Sequence, residues 1–333
     1  MDTRASVSRL FLSSLFGNLL GLAMLAGAAS AQTYPSRPIT LIVPFAAGGT
    51  TDAIARVLAE TMSQNLGQQI VIENVGGAGG TIGAARAARA APDGHTILLH
   101  QPGLAAGVAL HKNLTFDAEK DFAGVGLINT SASIIAGSPN VAANNIAELV
   151  SWLKEPGRNA KMAHAGVGAF GHLCGVLFVQ EVGAKVDQIP YRGGGPALND
   201  TVAGHADLSC LSAAIAAELI KSGKLKGFGI MGKDRFAGLP NVESLWQAGY
   251  KNLDLQFWHA LFVPAATPQP VVDRLNAALR QSFADAKVRK AFIDNGMTLY
   301  PAAEQTPEAA TALLRSEIKR WAEVIRSNKI SAQ

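Results

Sequence analysis

The stretch Ile39-Thr-Leu-Ile-Val-Pro-Phe-Ala-Ala-Gly-Gly-Thr-Thr-Asp52 changes from a strand pattern to a helix pattern through a glycine turn. Residues 39–45 form a short apolar run rich in β-branched side chains, which is typical of a buried strand. The helix that begins at Thr50 has one apolar face, formed by Ile54, Val57, Leu58, Met62 and Leu66. Gly67 then ends this helix. The stretch therefore predicts a strand–turn–helix unit.

The same unit repeats along the chain. Strands are predicted at 69–73 and 96–99, and a second glycine-rich turn at 76–80 precedes a helix that ends near residue 90. After a break, the pattern resumes with strands at 161–164, 185–189, 206–211 and 225–231 and with helices at 146–154, 171–182, 196–202 and 214–221. Alternating strands and helices predict parallel sheets with helices on their faces.

The break in this alternation predicts two α/β lobes with a cleft between them. After a last strand-like stretch, 255–263, only amphipathic helices follow, and the first sheet is the natural surface for them. We therefore expect a discontinuous first lobe, residues 32–128 plus 256–333, and a second lobe, residues 129–255. The two crossings between the lobes, near 127–136 and 256–264, would form a hinge.

Residues 1–31 read as a signal peptide rather than as part of the fold. Arg4 and Arg9 precede an apolar run, and Ala29-Ser-Ala31 fits a signal-peptidase site, so we expect cleavage after Ala31 and export to the periplasm. The alternative is a permanent membrane anchor. Polar residues inside the run, and the lack of a basic cluster after it, favour cleavage.

Composition excludes several classes of protein. Of 333 residues, 48% are hydrophobic and 16% are charged, which excludes a disordered chain and a coiled coil. The formal charge is only +4 and the basic residues are scattered, so no nucleic-acid partner is expected. Two cysteines, Cys174 and Cys210, exclude a cysteine-based zinc finger. In an oxidising compartment they form either a disulfide or two buried thiols, and the sequence leaves both open.

One motif suggests an enzyme. Gly166-Val-Gly-Ala-Phe-Gly171 is a G-x-G-x-x-G between a predicted strand and a predicted helix, as in dinucleotide-binding loops. The acidic residue at a suitable distance, Asp187, lies inside a strand rather than at its end. A glycine turn that offers backbone N–H groups to another anion is therefore favoured, and a dinucleotide-dependent enzyme is the alternative.

Other catalytic patterns are weaker still. Ser151-Trp-Leu-Lys154 matches S-x-x-K of penicillin-recognising enzymes, but the motifs that accompany it in those enzymes are missing. The seven histidines show no metal-ligand spacing. We therefore expect no enzymatic activity, no cofactor and no metal.

Glycine-rich loops at the ends of strands give the positive signal. They are predicted at 46–51, 76–81, 166–172 and 191–196, and they contain one arginine, Arg192, and no lysine. In open α/β sheets ligands bind at the carboxyl ends of strands, where glycine permits close approach and helix N-termini favour negative charge. The loops therefore predict an anion held by backbone donors rather than by a salt bridge.

Segments spread over the whole predicted mature chain carry a family resemblance. They are Tyr34–Ile39, Val43–Asp52, Glu73-Asn74, Gly77–Gly80, Pro92–Gly94, His164–Gly168, Gly171–Leu173, Pro190–Gly193, Pro196-Ala197, Ser222–Leu225, Leu239-Pro240, Trp258 and Phe262–Pro268. In this order they resemble the substrate-binding proteins of tripartite tricarboxylate transporters, also called Bug-type periplasmic receptors. The resemblance implies an α/β fold of the two-lobed, type II-like periplasmic binding class, each lobe a mostly parallel sheet flanked by helices.

The resemblance also implies a function and a site. The expected function is capture of a small carboxylate (dicarboxylate, tricarboxylate, acidic amino acid or aromatic acid) for membrane transporter subunits, by a monomer. A ligand-sensing domain for a signalling partner is the alternative. The implied ligand-binding residues are Phe45, Ala46, Gly49, Thr50, Asp52, Ala78, Gly79, Gly166, Val167, Gly168, Tyr191 and Asp207. Asp52 would equally serve as a helix-dipole partner, and Asp207 as a turn-stabilising residue.

The chain departs from the family pattern at three places. Val75-Gly76 stands where the family often has Arg or Gln followed by Pro, and Ala47 replaces a common Pro. Ala260 stands where the family usually has Gly. Without the two prolines the loops are expected to cost more to order on binding, by up to about 1 kcal/mol each.

Overall fold

The strands and helices are those of a computed structural model that describes residues 34–331. The predicted signal peptide, residues 1–31, lies outside the described residues. The strands are β1 (Ile39–Val43), β2 (Ile70–Asn74), β3 (Thr96–His100), β4 (Phe122–Ser131), β5 (Ser133–Gly137), β6 (Ala160–His164), β7 (Val186–Pro190), β8 (Leu208–Ser212), β9 (Lys226–Met231), β10 (Phe257–Pro264) and β11 (Met297–Leu299). The helices are α1 (Thr50–Leu66), α2 (Thr81–Ala88), α3 (Gly103–Leu110), α4 (Ile146–Leu153), α5 (Phe170–Val182), α6 (Gly194–Ala203), α7 (Ala213–Lys221), α8 (Gln269–Ala284), α9 (Ala286–Asp294) and α10 (Pro307–Ser327).

The strands form two mixed sheets within the described residues. The first has six strands in the order β11-β4-β10-β3-β1-β2, and the second has five in the order β7-β6-β8-β5-β9. In each sheet a parallel group (β2-β1-β3 or β7-β6-β8) is extended by a strand of opposite direction, β10 or β5. The predicted two-lobed α/β class is confirmed, with sheets that are mixed because each lobe ends in antiparallel pairs.

The chain passes between the sheets where the sequence predicts a hinge. β4 ends in the first sheet at Ser131, and β5 begins in the second sheet at Ser133, so a single residue connects them. The return crossing lies between β9 and β10. We call the first sheet with its helices lobe 1 and the second lobe 2. The lobe boundaries at 128/129 and 255/256 stay a prediction.

The C-terminal helix packs on lobe 1. α10 contacts β4 and α3, and its buried face includes Leu314, Trp321 and Ile325. The indole N–H groups of Trp258 on β10 and Trp321 both donate to the Glu317 carboxylate, each at 3.0 Å. This buried contact fixes the last helix to the sheet that begins more than 200 residues earlier.

A disulfide joins α5 to β8 in lobe 2. Cys174 and Cys210 have Cα atoms 6.1 Å apart, within the range that a disulfide requires. The bond ties the helix that follows the Gly166 loop to the neighbouring strand.

We expect this disulfide to form in the exported protein and to stabilise it by roughly 3–4 kcal/mol, because it closes a loop of 36 residues. Mass spectrometry after alkylation without reductant should find no alkyl group, and two groups after reduction. Two groups added without reductant would refute the bond. Urea unfolding of the Cys174→Ala/Cys210→Ala protein measures its contribution.

Candidate functional site

A cavity lies between the two lobes, at the ends of strands from both sheets. Lobe 1 contributes residues that follow β1 and β3, and lobe 2 contributes residues at the ends of β6 and β8. The lining residues from lobe 1 are Phe45, Gly48, Gly49, Thr50, Thr51, Asp52, Gln101 and Phe257. Those from lobe 2 include Ala163, His164, Ala165, Ala169, Phe170, Gly171, Gly194, Ala197, Leu198, Cys210, Leu211, Ser212 and Ile215. No lysine or arginine belongs to this lining within residues 34–331.

Helices α1, α5, α6 and α7 begin at this cavity. Their N-cap residues are Gly49, Ala169, Gly193 and Ser212. In none of these four does the side chain of the N-cap residue accept a hydrogen bond from a backbone N–H of the helix that follows. Of the other helices, α4, α9 and α10 have N-cap side chains that accept such bonds, whereas α2, α3 and α8 do not. Uncapped first turns leave backbone N–H donors available, and the helix dipole adds partial positive charge there. In α7 these donors come after Ala213, whose own N–H donates to the Ala132 carbonyl oxygen. The cavity is therefore suited to an anion.

Glycine lets the lobes touch along one edge of the cavity. The Ala46 N–H donates to the Arg192 carbonyl oxygen across the cleft at 3.0 Å. A Cβ on Gly76 would lie 2.5 Å from that same oxygen, and one on Gly193 would lie 2.6 Å from the Ala46 nitrogen. A side chain at either glycine would therefore hold the lobes apart.

A second glycine contact joins the loop after β2 to the loop after β6. A Cβ on Gly79 would overlap the Val167 carbonyl oxygen, and one on Gly166 would lie 2.7 Å from the Gly79 nitrogen. Gly79 and Gly166 also have φ angles of +65° and +110°, which side-chain-bearing residues rarely adopt. The structure thus represents the closed arrangement of the lobes, in which backbone meets backbone.

Aromatic rings also meet across the cleft. Phe170 of α5 stacks on Phe257 of β10, with ring centroids 4.5 Å apart and planes at 16°. Both rings line the cavity. They give part of its wall an apolar character and contribute to closure.

Asp52 lines the cavity, but its carboxylate is already engaged. One oxygen accepts from the Gly48 N–H and from Arg56 Nε, and the other accepts from Arg56 Nη2 and Asn74 Nδ2. Burial alone would raise the pKa of Asp52, but the hydrogen bonds from Arg56, Gly48 and Asn74 outweigh it and lower the pKa. Asp52 therefore braces the first glycine loop, which holds the N-terminus of α1 in place.

Two buried polar atoms at the cavity lack a partner among the described residues. His164 is 2% exposed, its Nδ1 accepts the Gly166 N–H at 3.2 Å, and its Nε2 is unpaired. Because Nδ1 is an acceptor, the ring proton of the neutral imidazole belongs on Nε2. Ser212 is 3% exposed, and its hydroxyl is also unpaired. Both residues belong to the lining of the cavity, and both groups can donate a hydrogen bond.

Burial keeps the histidines near the cleft uncharged. Burial lowers the pKa of His164 to about 3, with a smaller contribution from the adjacent His172. Burial also lowers the pKa of His172 to about 4, of His100 to about 4 and of His259 to about 3. His259 Nε2 lies 3.2 Å from the hydroxyl of Thr51, in the first turn of α1. The site therefore has neutral imidazoles rather than cations at neutral pH.

The residues that the sequence predicts at the ligand lie in four different places in the structure. Phe45, Gly49, Thr50 and Asp52 line the cavity between the lobes. Ala46, Gly79 and Gly168 lie in the contacts between the lobes.

The remaining expected residues lie outside that cavity. Ala78, Gly166, Val167 and Tyr191 line a neighbouring, more open cavity. There the Tyr191 hydroxyl donates to Asp200, and burial together with that carboxylate raises the pKa of Tyr191 to about 12.

Asp207 lies apart from both cavities. Its carboxylate accepts the Lys161 N–H at 2.7 Å, and its own N–H donates to the Lys161 carbonyl oxygen. This contact joins β6 to the turn before β8, which matches the turn-stabilising alternative rather than a ligand contact.

Sequence reasoning missed the residues that lobe 2 contributes from strand ends and helix starts. His164 stood within a family-like segment, but nothing in its sequence spacing showed that Nδ1 would be occupied and Nε2 left without a partner among the described residues. Ser212 also gave no local signal. The available clue for His164 and Ser212 was their position directly at predicted strand ends. Phe257, which lobe 1 contributes from the start of β10, was missed as well.

Across residues 34–331, no group of three or more His, Cys, Asp or Glu side chains is arranged to hold a metal ion. The helices of this same portion include none with the length and apolarity needed to cross a bilayer.

Two lobes joined by two crossings, with an anion-suited cavity between them, define a two-lobed periplasmic binding protein. Comparison with known proteins identifies the family. Residues 54–330 match the family described as the tripartite tricarboxylate transporter family receptor, so the chain belongs to this family and the predicted resemblance is confirmed.

Individual relatives cover nearly the whole chain. A UPF0065 protein from the TAR-I ttuE-ttuC' intergenic region of Agrobacterium vitis is 38% identical over 308 residues, or 92% of this chain and 89% of the relative. The structure of the periplasmic binding protein BugD has 37% identity and a TM-score of 0.87, covering 90% of this chain and 100% of BugD. MatC from Rhodopseudomonas palustris, solved with bound malate, has 34% identity and a TM-score of 0.85, covering 88% of this chain and 100% of MatC.

Proposed function

We propose that this protein is a periplasmic receptor that binds a small organic carboxylate between its lobes and delivers it to a membrane transporter. The observation that carries the proposal is the convergence of four uncapped helix N-termini on a cavity whose described lining has no lysine or arginine. Backbone donors and helix dipoles supply the positive potential that a carboxylate requires. Membership of a transporter-receptor family and likeness to MatC, a protein solved with malate, support this reading.

Closure of the lobes is the expected consequence of binding. Each lobe contributes helix N-termini to the cavity, so a ligand completes its hydrogen bonds only when both lobes surround it. A ligand that contacts both lobes binds the closed state better and shifts the population toward it. The closed surface is what a transporter would recognise, and binding without chemical conversion is sufficient for this role.

A thermal-shift screen followed by calorimetry tests the proposal. Protein purified from the periplasm of an expression host is screened against mono-, di- and tricarboxylates, with the corresponding amides as uncharged controls. A ligand at 100 times its Kd stabilises the folded state by about 2.7 kcal/mol, which raises Tm by several degrees. Carboxylates but not amides should produce the shift. Amides that bind as tightly as their acids would contradict an anion site.

Replacing Arg192 by Ala should weaken carboxylate binding by about tenfold or less, which corresponds to about 1.4 kcal/mol. The reason is that Arg192 contributes its carbonyl oxygen to the lobe contact, and that it lines the neighbouring cavity rather than the one where the four helix N-termini meet. Titration calorimetry of the variant measures the change. Complete loss of binding would show that a salt bridge, rather than backbone donors, holds the anion.

A further inference from the structure

Two grooves adjoin on the outer surface beside the cleft, and Ile82 of α2 belongs to both. The first groove is formed by lobe 1 alone and is lined by residues of α2 and by residues 113–116, which follow α3. The second is the open cavity to which both lobes contribute, with Ile82 from lobe 1 and Val167, Tyr191 and Arg192 from lobe 2. Ile82 is 53% exposed, although it is a large apolar residue. We call the two grooves together the mouth surface.

The mouth surface is complete only when the lobes are closed. The second groove lies beside the backbone contact between Gly79 and Val167, and Val167 itself lines this groove. Arg192 is also held by closure, because its carbonyl oxygen accepts the Ala46 N–H across the cleft. Separation of the lobes therefore moves Arg192 away from Ile82 and divides the surface in two.

The charge of the mouth surface is positive. Within the described residues, three arginines (Arg86, Arg89 and Arg192) and no aspartate or glutamate line the two grooves. Arg86 pairs with Glu73, whereas Arg89 and Arg192 are exposed and have no ion pair among residues 34–331. Asp200 contacts the lining of the second groove, but its carboxylate already accepts the hydroxyl of a lining tyrosine. Each groove thus has one unpaired guanidinium group.

An exposed isoleucine with unpaired arginines on either groove has a defined complement. Arginine is enriched at protein interfaces and binds carboxylates through its planar fork of N–H groups. A partner that places an apolar side chain against Ile82 and carboxylates near Arg89 and Arg192 would satisfy both features.

We propose that the mouth surface is the site at which the closed receptor docks on its transporter, and that the partner is a membrane subunit whose exposed face presents carboxylates beside an apolar side chain. This inference rests on the proposed function and names the contact through which delivery occurs. The Arg192 carbonyl oxygen takes part in closure while its guanidinium group has no partner in the described chain, so one residue links ligand binding to docking. A partner that requires both grooves binds the closed state better and shifts the population toward it.

A second copy of this chain is a poorer occupant. Two copies related by a two-fold axis present the same patch to each other. The arginines of one mouth surface would then face those of the other, and like charges oppose such a contact. The positive charge therefore favours a different, acidic partner.

The first experiment separates ligand binding from delivery. In the bacterium that carries this gene, the chromosomal copy is replaced by Ile82→Asp or by Arg89→Glu, and uptake of the tightest-binding carboxylate is measured with the radiolabelled acid. Both variants should lower the initial rate of uptake at least tenfold, because the new carboxylate repels those of the partner. Calorimetry should find a Kd for the acid within threefold of the parent, since neither residue lines the cavity between the lobes.

Ile293→Asp is the matched control for Ile82→Asp. Ile293 is 71% exposed, belongs to lobe 1 and lines neither groove of the mouth surface. This variant should support uptake at the parental rate. Immunoblots of periplasmic extracts confirm that each variant accumulates to the parental level.

The results distinguish the docking surface from the proposed function. Parental uptake by an Ile82→Asp protein that accumulates normally would overturn the docking surface and leave the proposed function standing. A parent protein that binds no carboxylate, or a deletion strain that imports the acid as fast as the parent strain, would overturn the proposed function itself. Where Ile82→Asp does not accumulate, uptake by Arg89→Glu decides by the same criterion.

The second experiment identifies the partner by cross-linking in living cells. The photoreactive residue p-benzoylphenylalanine replaces Ile82 or, as the control, Ile293, and cells are irradiated with and without the acid. Mass spectrometry should find position 82 joined to an integral membrane subunit of the transporter when the acid is present, with at least fivefold less product without it, and should find no such product at position 293. A product that joins two copies of this chain, or the absence of any product with a membrane subunit, would overturn the proposal. A yield that does not depend on the acid would overturn its link to closure.

Discussion

Lowering the pH from 7.5 to 5 is expected to reduce the free energy of unfolding by several kcal/mol. Burial lowers the pKa values of His100 and His172 to about 4 and those of His164 and His259 to about 3. In the unfolded chain a histidine titrates near pH 6.5, so below that pH the unfolded state binds more protons than the folded state. Stability is therefore fully present above about pH 6.5 and falls continuously toward pH 3–4.

The expected effect is comparable with the stability of a whole domain. Each histidine that is buried and neutral in the folded state lowers the free energy of unfolding by about 2 kcal/mol at pH 5 relative to pH 7.5. The total free energy of unfolding of a domain is about 5–15 kcal/mol. Urea unfolding at pH 7.5, 6 and 5 measures the slope. His259→Gln should reduce the slope. A free energy of unfolding that stays constant from pH 7.5 to 5 would contradict the neutral, buried imidazoles.

Replacing Gly79 by Ala is expected to weaken carboxylate binding by about 100-fold, or about 2.7 kcal/mol. In the closed arrangement a Cβ on Gly79 overlaps the Val167 carbonyl oxygen of the opposite lobe. The methyl group therefore blocks closure, and a ligand held by one lobe loses the donors of the other. Calorimetry with the tightest ligand measures the loss, and small-angle scattering should show that the variant no longer contracts when ligand is added.

Gly157→Ala is the matched control for this variant. Gly157 has a similar φ of +77°, against +65° at Gly79, but a Cβ there meets no atom of the described chain within 4 Å. Both substitutions impose about 1–2 kcal/mol of backbone strain, and only Gly79→Ala obstructs the cleft. If both variants bind equally well, the lobe contact at Gly79 is not part of the binding reaction.

The parts of the fold that depend on local pattern could be predicted from the sequence. The apolar face of α1 and its terminating Gly67, which has φ +73°, follow from spacing and from the conformational freedom of glycine. The crossing at Ser131–Ser133 lies inside the predicted hinge. Helix α3, in contrast, was missed because Gly103–Leu110 is almost entirely apolar and small and so has no polar face to give a period.

At the candidate site, too, some properties follow from local sequence and others depend on tertiary contacts. Glycine loops at strand ends predicted an anion site, since backbone donors and helix N-termini are a local property of that pattern. The state of each side chain was not predictable, because it depends on tertiary contacts. The Asp52 carboxylate already accepts hydrogen bonds from Asn74 on the next strand and from Arg56. The His164 ring is oriented by the hydrogen bond that its Nδ1 accepts from the Gly166 N–H. Only the folded chain shows which donors remain available to a ligand.

A crystal structure of the protein saturated with its tightest-binding carboxylate would show directly how the anion is held. We expect closed lobes with the ligand carboxylate between them, each oxygen about 3 Å from backbone N–H groups in the first turns of α1, α5, α6 or α7. We also expect no lysine or arginine nitrogen within about 4 Å of that carboxylate. A carboxylate paired with Arg192, or a ligand bound outside the cavity where these helices begin, would refute capture by backbone donors.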